Sequence, residues 1–229
     1  MSKDTLNIVC FLWYGDRWNH KDSGVLYVNK LYRAVNKHLK QEKRFICLTN
    51  VPLNQINEFD SGIEILPLNA PSWKGCLPKI CMFNPDYGFE GQVLSFDIDI
   101  VITGALDDLA NYRGNFAVRL AFRNPKLLDG DIVGFRVGYK TEEIWEQLKR
   151  NPKWVERITG GRERYWYRHV LGNDMDTWQN LFPGQLLSYK NHLKGGKPLP
   201  ENARIISCHG VPRPHQLREE WAIKNWRDL

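Results

Sequence analysis

Residues 93–104, "VLSFDIDIVITG", restrict the possible folds of this chain more than any other stretch. The run has the composition of a buried strand, yet Asp97 and Asp99 interrupt it. An unpaired buried carboxylate is costly, and two close together repel. Alternate residues of a strand share a face, so both acids point the same way unless the strand ends between them. A hard divalent cation relieves the repulsion, because it prefers oxygen ligands and leaves positions for substrate phosphates. Val93, Leu94 and Phe96 would then deliver the acids at the C-terminal end of the strand, where open α/β sheets bind ligands. The bland alternative caps a turn with Asp97 and pairs Asp99 with a surface lysine. A D-x-D triplet alone does not separate the two.

The flanking sequence predicts what surrounds that strand. "NIVCFLWY" reads as a first buried strand and is followed by a polar, aromatic loop, "GDRWNHKDSG". "VLYVNKLYRAVNKHLK" has helical periodicity, with Val25, Val28, Tyr32, Val35 and Leu39 on one face and Asn29, Arg33, Lys37 and Lys40 on another. "RFICLTN" and "IEILPL" read as the next strands. This β-α-β opening predicts a layered α/β sheet. "LPKICMF" reads as a short helix and "ALDDLANY" as a short helix or turn. "FAVRLAF", "DIVGFRVG", "LLSYKNHL" and "ARIISCHG" read as further strands. Thr141 is the expected N-cap of "EEIWEQLKRN", and "ERYWYRHVLG" is expected to be helical up to Gly172. No repeat, low-complexity segment or linker divides the 229 residues, so one domain is expected, with residues 1–104 as its first half and 105–229 as its second.

Composition narrows the partners. The chain is 42% hydrophobic and 25% charged, which fits a folded globular protein rather than a disordered one. The net charge of +6 suits an anionic ligand, but no dense Lys/Arg run or RNA-binding framework accompanies it, so nucleic acid is not expected. Five scattered cysteines without a CxxC pair point to free thiols. No apolar run is long enough to span a membrane, and the N-terminus lacks a signal-peptide core, so the cytoplasm is expected.

A second feature lies in "ARIISCHGVPRPHQ". A buried-type strand delivers His209 onto Gly210, and Arg213 follows. A histidine at a strand end is commonly structural. Here glycine allows backbone to approach a ligand, and arginine suits phosphate. His209 is therefore a candidate third metal ligand, and a nitrogen ligand beside two carboxylates favours Mn2+ over Mg2+.

Three stretches, taken in order, resemble the GT-A fold glycosyltransferases of the glycogenin-like and lipopolysaccharide galactosyltransferase-like family. "VCFLWYGDRW…YVNKLYRAVNKHL…RFICLTN" is similar to the family's nucleotide-binding β-α-β. "LPKICMFNPDYGFEGQVLSFDIDIVITGALDDL" resembles the run from a nucleotide-contacting lysine into the metal-binding D-x-D. "FPGQLLSYKNHL…ARIISCHGVPRPH" resembles the C-terminal segment with its metal-binding histidine. The resemblance implies a mixed, mostly parallel central sheet flanked by helices, with a Rossmann-like nucleotide-binding half. It implies a nucleotide-sugar donor, usually a UDP-sugar, with Mn2+ or Mg2+, an unidentified glycan, lipid or protein acceptor, and retention of anomeric configuration. By position, Asp97, Asp99 and His209 match the metal ligands. Lys79, Trp13, Tyr14 and Trp18 match the nucleotide site, and Gly210 and Arg213 the diphosphate contacts. Asp129 in "LDGDIVGF" falls near the family's sugar-binding asparagine turn, and Arg162 and Glu163 in "GGRERYW" near its Gly-Asp-Gln segment. These positions depart from the family pattern, so a binding module without transfer is a second expectation. A haloacid-dehalogenase-type phosphatase is a third, suggested by "FDIDIV" and "GNDMD". That fold begins with its nucleophile strand, whereas a complete β-α-β precedes Asp97 here.

Overall fold

The computed structural model describes residues 5–14, 24–70 and 73–229. The chain opens as β1 (Leu6–Leu12), α1 (Gly24–His38), β2 (Arg44–Thr49) and β3 (Glu64–Pro67), the expected β-α-β. Next come β4 (Gln92–Phe96), β5 (Ile100–Ile102), α2 (Asp107–Ala110), β6 (Phe116–Ala121) and β7 (Asn124–Arg136). Helical segments follow: α3 (Gln147–Arg150), α4 (Pro152–Thr159) and α5 (Glu163–Leu171). The chain then forms β8 (Asp176–Thr177), α6 (Trp178–Leu181), β9 (Leu186–Ser188), β10 (Ile205–Ser207) and α7 (Glu220–Ala222).

Seven strands form one sheet in the order β3-β2-β1-β4-β7-β6-β8, and β5-β10-β9 form a second. Parallel pairing runs from β3 through β4 and joins β6 to β8, while β7 is antiparallel to both of its neighbours. The sheet is therefore mixed and mostly parallel. Strand β1 is buried along its whole length. Its Leu6, Ile8, Cys10 and Leu12 join an apolar cluster with α1 and the small sheet. Val9 and Phe11 join the opposite cluster with the helices of residues 142–171. A strand apolar on both faces belongs between two helical layers, as here.

Several expectations are corrected. Residues 93–104 are not one strand: β4 ends at Phe96, residues 97–99 turn, and β5 enters the other sheet. Asn29 is buried rather than solvated. Its amide donates to the Glu58 carbonyl at 2.8 Å and accepts from the Asp60 N–H at 3.1 Å. Thr141 already has helical angles (φ −59°, ψ −40°) and makes no capping bond, because the chain turns one residue earlier, at Lys140 with φ 47°. Only the start of "LLSYKNHL" is strand; Tyr189–Leu193 coil into a helical turn behind Ser188. The strand read as "DIVGFRVG" begins earlier, at Asn124. The C-terminal segment, residues 214–226, packs on the molecule as its amphipathic pattern leads one to expect: Leu217 and Trp226 are buried and Trp221 is partly so. Among the described residues no helix is long and apolar enough to cross a membrane, and all five cysteines are free thiols.

Candidate active site

The site forms where the two sheets meet. Strand β4 pairs with β7 antiparallel, Phe96 opposite Ile132, and the ladder continues one step: the Asp97 N–H donates to the Asp131 carbonyl at 2.8 Å. Strand β5 pairs with β10, Ile100 opposite Ser207, and that ladder also continues: the Cys208 N–H donates to the Asp99 carbonyl at 3.2 Å. The backbone of Asp97 thus belongs to the large sheet, and that of Asp99 to the small one. Both acids and His209 line a cleft of about 510 Å³ at the C-terminal end of β4.

Each carboxylate meets a cation. Lys79, in the helical turn Leu77–Phe83, is 7% exposed. Its ammonium donates to Asp97 and to the Gly130 carbonyl (3.3 Å), with Glu163 Oε1 at 3.9 Å. Burial alone would lower Lys79, but Asp97 and Glu163 outweigh it and hold the ammonium charged, well above the usual lysine range. Arg213 pairs with Asp99. Burial, then repulsion from Asp97, pushes Asp99 up to about 7 against the pull of Arg213. Burial also raises Asp97 and Glu163. It lowers His209, which keeps the imidazole neutral.

A buried ion network stands behind these groups. Arg119 grips Asp131 with two bonds, Nε to Oδ1 at 2.6 Å and Nη2 to Oδ2 at 2.8 Å, and reaches Asp129 at 2.8 Å. Ser207 also donates to Asp131. Burial alone would raise Asp131, but Arg119 and Ser207 hold it below the usual carboxylate range. Asp129 is raised by burial and by its neighbour Asp131. Gly130 lets Glu163 approach, since a Cβ there would fall 2.2 Å from Glu163 Oε1.

The structure brings together most of the residues expected from sequence. Asp97, Asp99, His209, Lys79, Asp129, Arg162 and Glu163 share the large cleft. Trp13 lines an adjoining hollow with Lys79, Asp97 and Asp99. Tyr14 lines neither; its N–H donates to Asn50 and its hydroxyl to Gln55, tying the end of β1 to the segment after β2. Gly210 turns with φ 74°, and a Cβ there would fall 2.8 Å from the Lys190 ammonium. Trp18 lies outside the described residues. Arg119, Asp131, Arg164 and Ser207 also line the cleft and were missed. Two signals could have found the first pair: an arginine inside the apolar run "FAVRLAF", and a second acid leading an apolar strand in "DGDIVGF".

The donor chemistry suits a divalent cation: two carboxylates close enough to repel, raised by burial, in a cleft that a neutral imidazole also lines, although that imidazole faces Asp129 and Asp131. Among the described residues, however, no three His, Cys, Asp or Glu side chains converge into a ligand set. Both carboxylates point to their cations instead.

No protein-family model matches the sequence, and no curated protein sequence does. Solved structures do match. The glycosyltransferase GlyE of Streptococcus pneumoniae TIGR4 superposes with a TM-score of 0.68 at 14% identity, over 99% of this chain and 62% of GlyE. The chain thus spans less than two thirds of that protein. The galactosyltransferase LgtC, in complex with donor and acceptor sugar analogs, superposes at 0.62 and 12% identity over 96% of each chain. An active-site mutant of LgtC gives 0.64. The likeness establishes the architecture: this chain has the GT-A glycosyltransferase fold.

Proposed function

We propose that the chain is a glycosyltransferase that moves a sugar from a nucleotide-sugar, a UDP-sugar by the family resemblance, to an acceptor. The observation that carries this reading is the gathering of Lys79, Asp97, Asp99, His209 and Arg213 at the sheet junction of a GT-A fold. Asp97 and Asp99, with His209 as a nitrogen ligand, would hold Mn2+ or Mg2+. When bound, the cation neutralises charge that develops on the departing diphosphate.

The chain's own groups do the rest. Lys79 stays protonated and adds positive charge beside the leaving group. Arg213 exchanges Asp99 for the diphosphate, a bidentate acceptor for its guanidinium. Gly210 lets the diphosphate approach the backbone. Trp13 offers a ring towards the base in the adjoining hollow. Asp129, Arg162 and Glu163 line the same cleft, and by the family resemblance they would meet the sugar and acceptor. Transfer with retention follows the resemblance, and no carboxylate is assigned as nucleophile.

A thermal-shift screen of nucleoside diphosphates with and without Mn2+ tests this. Ligands that bind only the folded state raise Tm. UDP with Mn2+ is expected to raise it more than either alone, and Asp99→Asn to abolish the joint effect while the variant stays folded. Retention of the joint effect in Asp99→Asn would remove the metal assignment. Turnover of phosphate esters with no binding of any nucleoside diphosphate would remove the transferase reading.

A further inference from the structure

A second, smaller cleft of about 370 Å³ adjoins the active site. Its cations are Lys74, Lys153 and Arg157. Lys153 and Arg157 stand four residues apart on α4, hence on one face of it. Among the described residues, Glu156 is the only acid lining this cleft, and the Lys74 backbone N–H already donates to it at 3.2 Å. None of the three cationic side chains forms an ion pair with a described residue.

The two clefts share a wall. The Cys76 N–H donates to the Gly161 carbonyl at 2.8 Å. Gly75, Gly160 and Gly161 line the small cleft, and their chain neighbours Cys76 and Arg162 line the large one. The contact is tight: a Cβ on Gly75 would fall 2.3 Å from the Gly161 oxygen. Beyond the wall, Arg162 and Arg164 line the large cleft, whose carboxylates Asp97, Asp99, Asp129, Asp131 and Glu163 are countered by Lys79 and Arg119 as well. Their guanidiniums lie 5.7 and 5.2 Å from the Tyr165 ring, neither forms an ion pair with a described residue, and Arg164 acts on Asp129 only at longer range. Arg164 Nε is buried without a hydrogen-bond partner. Guanidiniums lining a cleft without a bound carboxylate favour carboxylate or phosphate. Trp154, three residues before Arg157 on α4, is part-exposed and packs edge-on against Trp166 at 6.0 Å and His169 at 5.6 Å, leaving ring surface for stacking.

We propose that this face, from Lys74, Lys153 and Arg157 to Arg162 and Arg164, binds the acceptor, and that the acceptor is an anionic glycan carrying uronate or phosphate groups. The inference rests on the transferase reading for its direction, because only the backbone wall at Gly75 and Gly161 separates the face from the transfer site. A glycan suits it better than a nucleic acid, since the face is one short basic wall with one ring on the same helix, next to a sugar-transfer cleft.

The test measures binding of hexagalacturonate and of a phosphorylated maltohexaose by calorimetry, with neutral maltohexaose as control and a thymidine oligonucleotide of matched charge as rival. The expected result is salt-dependent binding of at least one anionic glycan, weak binding of the neutral one, and a loss of about ten-fold or more in Lys153→Glu/Arg157→Glu. The charge-preserving Lys153→Arg/Arg157→Lys should bind as the parent does. The two glycan arms separate uronate from phosphate. The UDP–Mn2+ thermal shift, read on the same proteins, should be unchanged in both variants. Unaltered glycan binding in the charge-reversed protein would overturn the proposal, as would tighter binding of the oligonucleotide. Absence of the UDP–Mn2+ shift with the glycan effect intact would remove the transferase reading and leave the anion-binding face standing.

Discussion

At the scale of single residues, the site depends on charges that would be untenable alone. Arg119 is fully buried and is held by Asp131 and Asp129, with the Phe122 ring 4.1 Å from its guanidinium. Removing one partner of a buried pair strands the other charge, so Asp131→Ala should destabilise the fold by about 3 kcal/mol or more in urea titration. A loss below about 1 kcal/mol would mean that Asp129 alone satisfies the guanidinium. Gly130 is a second sensitive point. Gly130→Ala would displace Glu163, the second acid near Lys79. Its expected signature is a weaker UDP–Mn2+ thermal shift in a protein whose circular dichroism is unchanged.

At the scale of elements, the C-terminal segment is anchored by side chains that do not line the cleft. Tyr27 of α1 bonds the His215 ring, and the Tyr189 hydroxyl donates to Glu219 at 2.6 Å. Burial would raise Glu219, but the Tyr189 bond and the N–H groups of Glu219 and Arg218 outweigh it and hold the carboxyl below the usual glutamate range. A depressed folded value means that the unfolded chain binds the proton more readily. The stabilisation is therefore complete above the unfolded glutamate value, about 4.3, and is lost as pH falls through the lower folded value. Glu219→Gln should flatten that acid limb in urea midpoints measured from pH 6 to pH 3, and Tyr189→Phe should do so in part. An acid limb identical to the parent's would show that this pair does not carry it.

The same scale explains what could be read from the sequence. The β-α-β opening was legible because its apolar residues alternate or recur with regular periods, and β1, α1, β2 and β3 form close to where expected. The chain from Asp97 to Asp99 was not, because a switch between sheets leaves no mark in an apolar run: Phe96 and Ile100 look alike to a pattern and pair with different partners. Asn29 was misplaced because its burial depends on Glu58 and Asp60, which the helix period does not register. The acids and the histidine were found from their odd positions. Arg119 and Asp131 were missed because each is tolerable only in the company of the other, and that partnership is a tertiary fact.

At the scale of the whole molecule, stability should be uneven. Strand β1 is fully buried and paired on both sides, whereas β9 and β10 contribute three residues each to a small sheet. Amides of β1 and β4 are expected to exchange with solvent more slowly than those of β9, in native-state hydrogen exchange read by mass spectrometry. Equal protection in both sheets would contradict this ordering.

The turn at residues 97–99 has a consequence for how the molecule responds to change. One acid is bolted through its backbone to the large sheet and the other to the small one, with buried Ile98 between them. The gap between the carboxylates is therefore a caliper across the seam of the two sheets. Any shift of the small sheet, even from its outer strand β9, opens or closes that caliper. A substitution that never touches the cleft can thus retune it from behind.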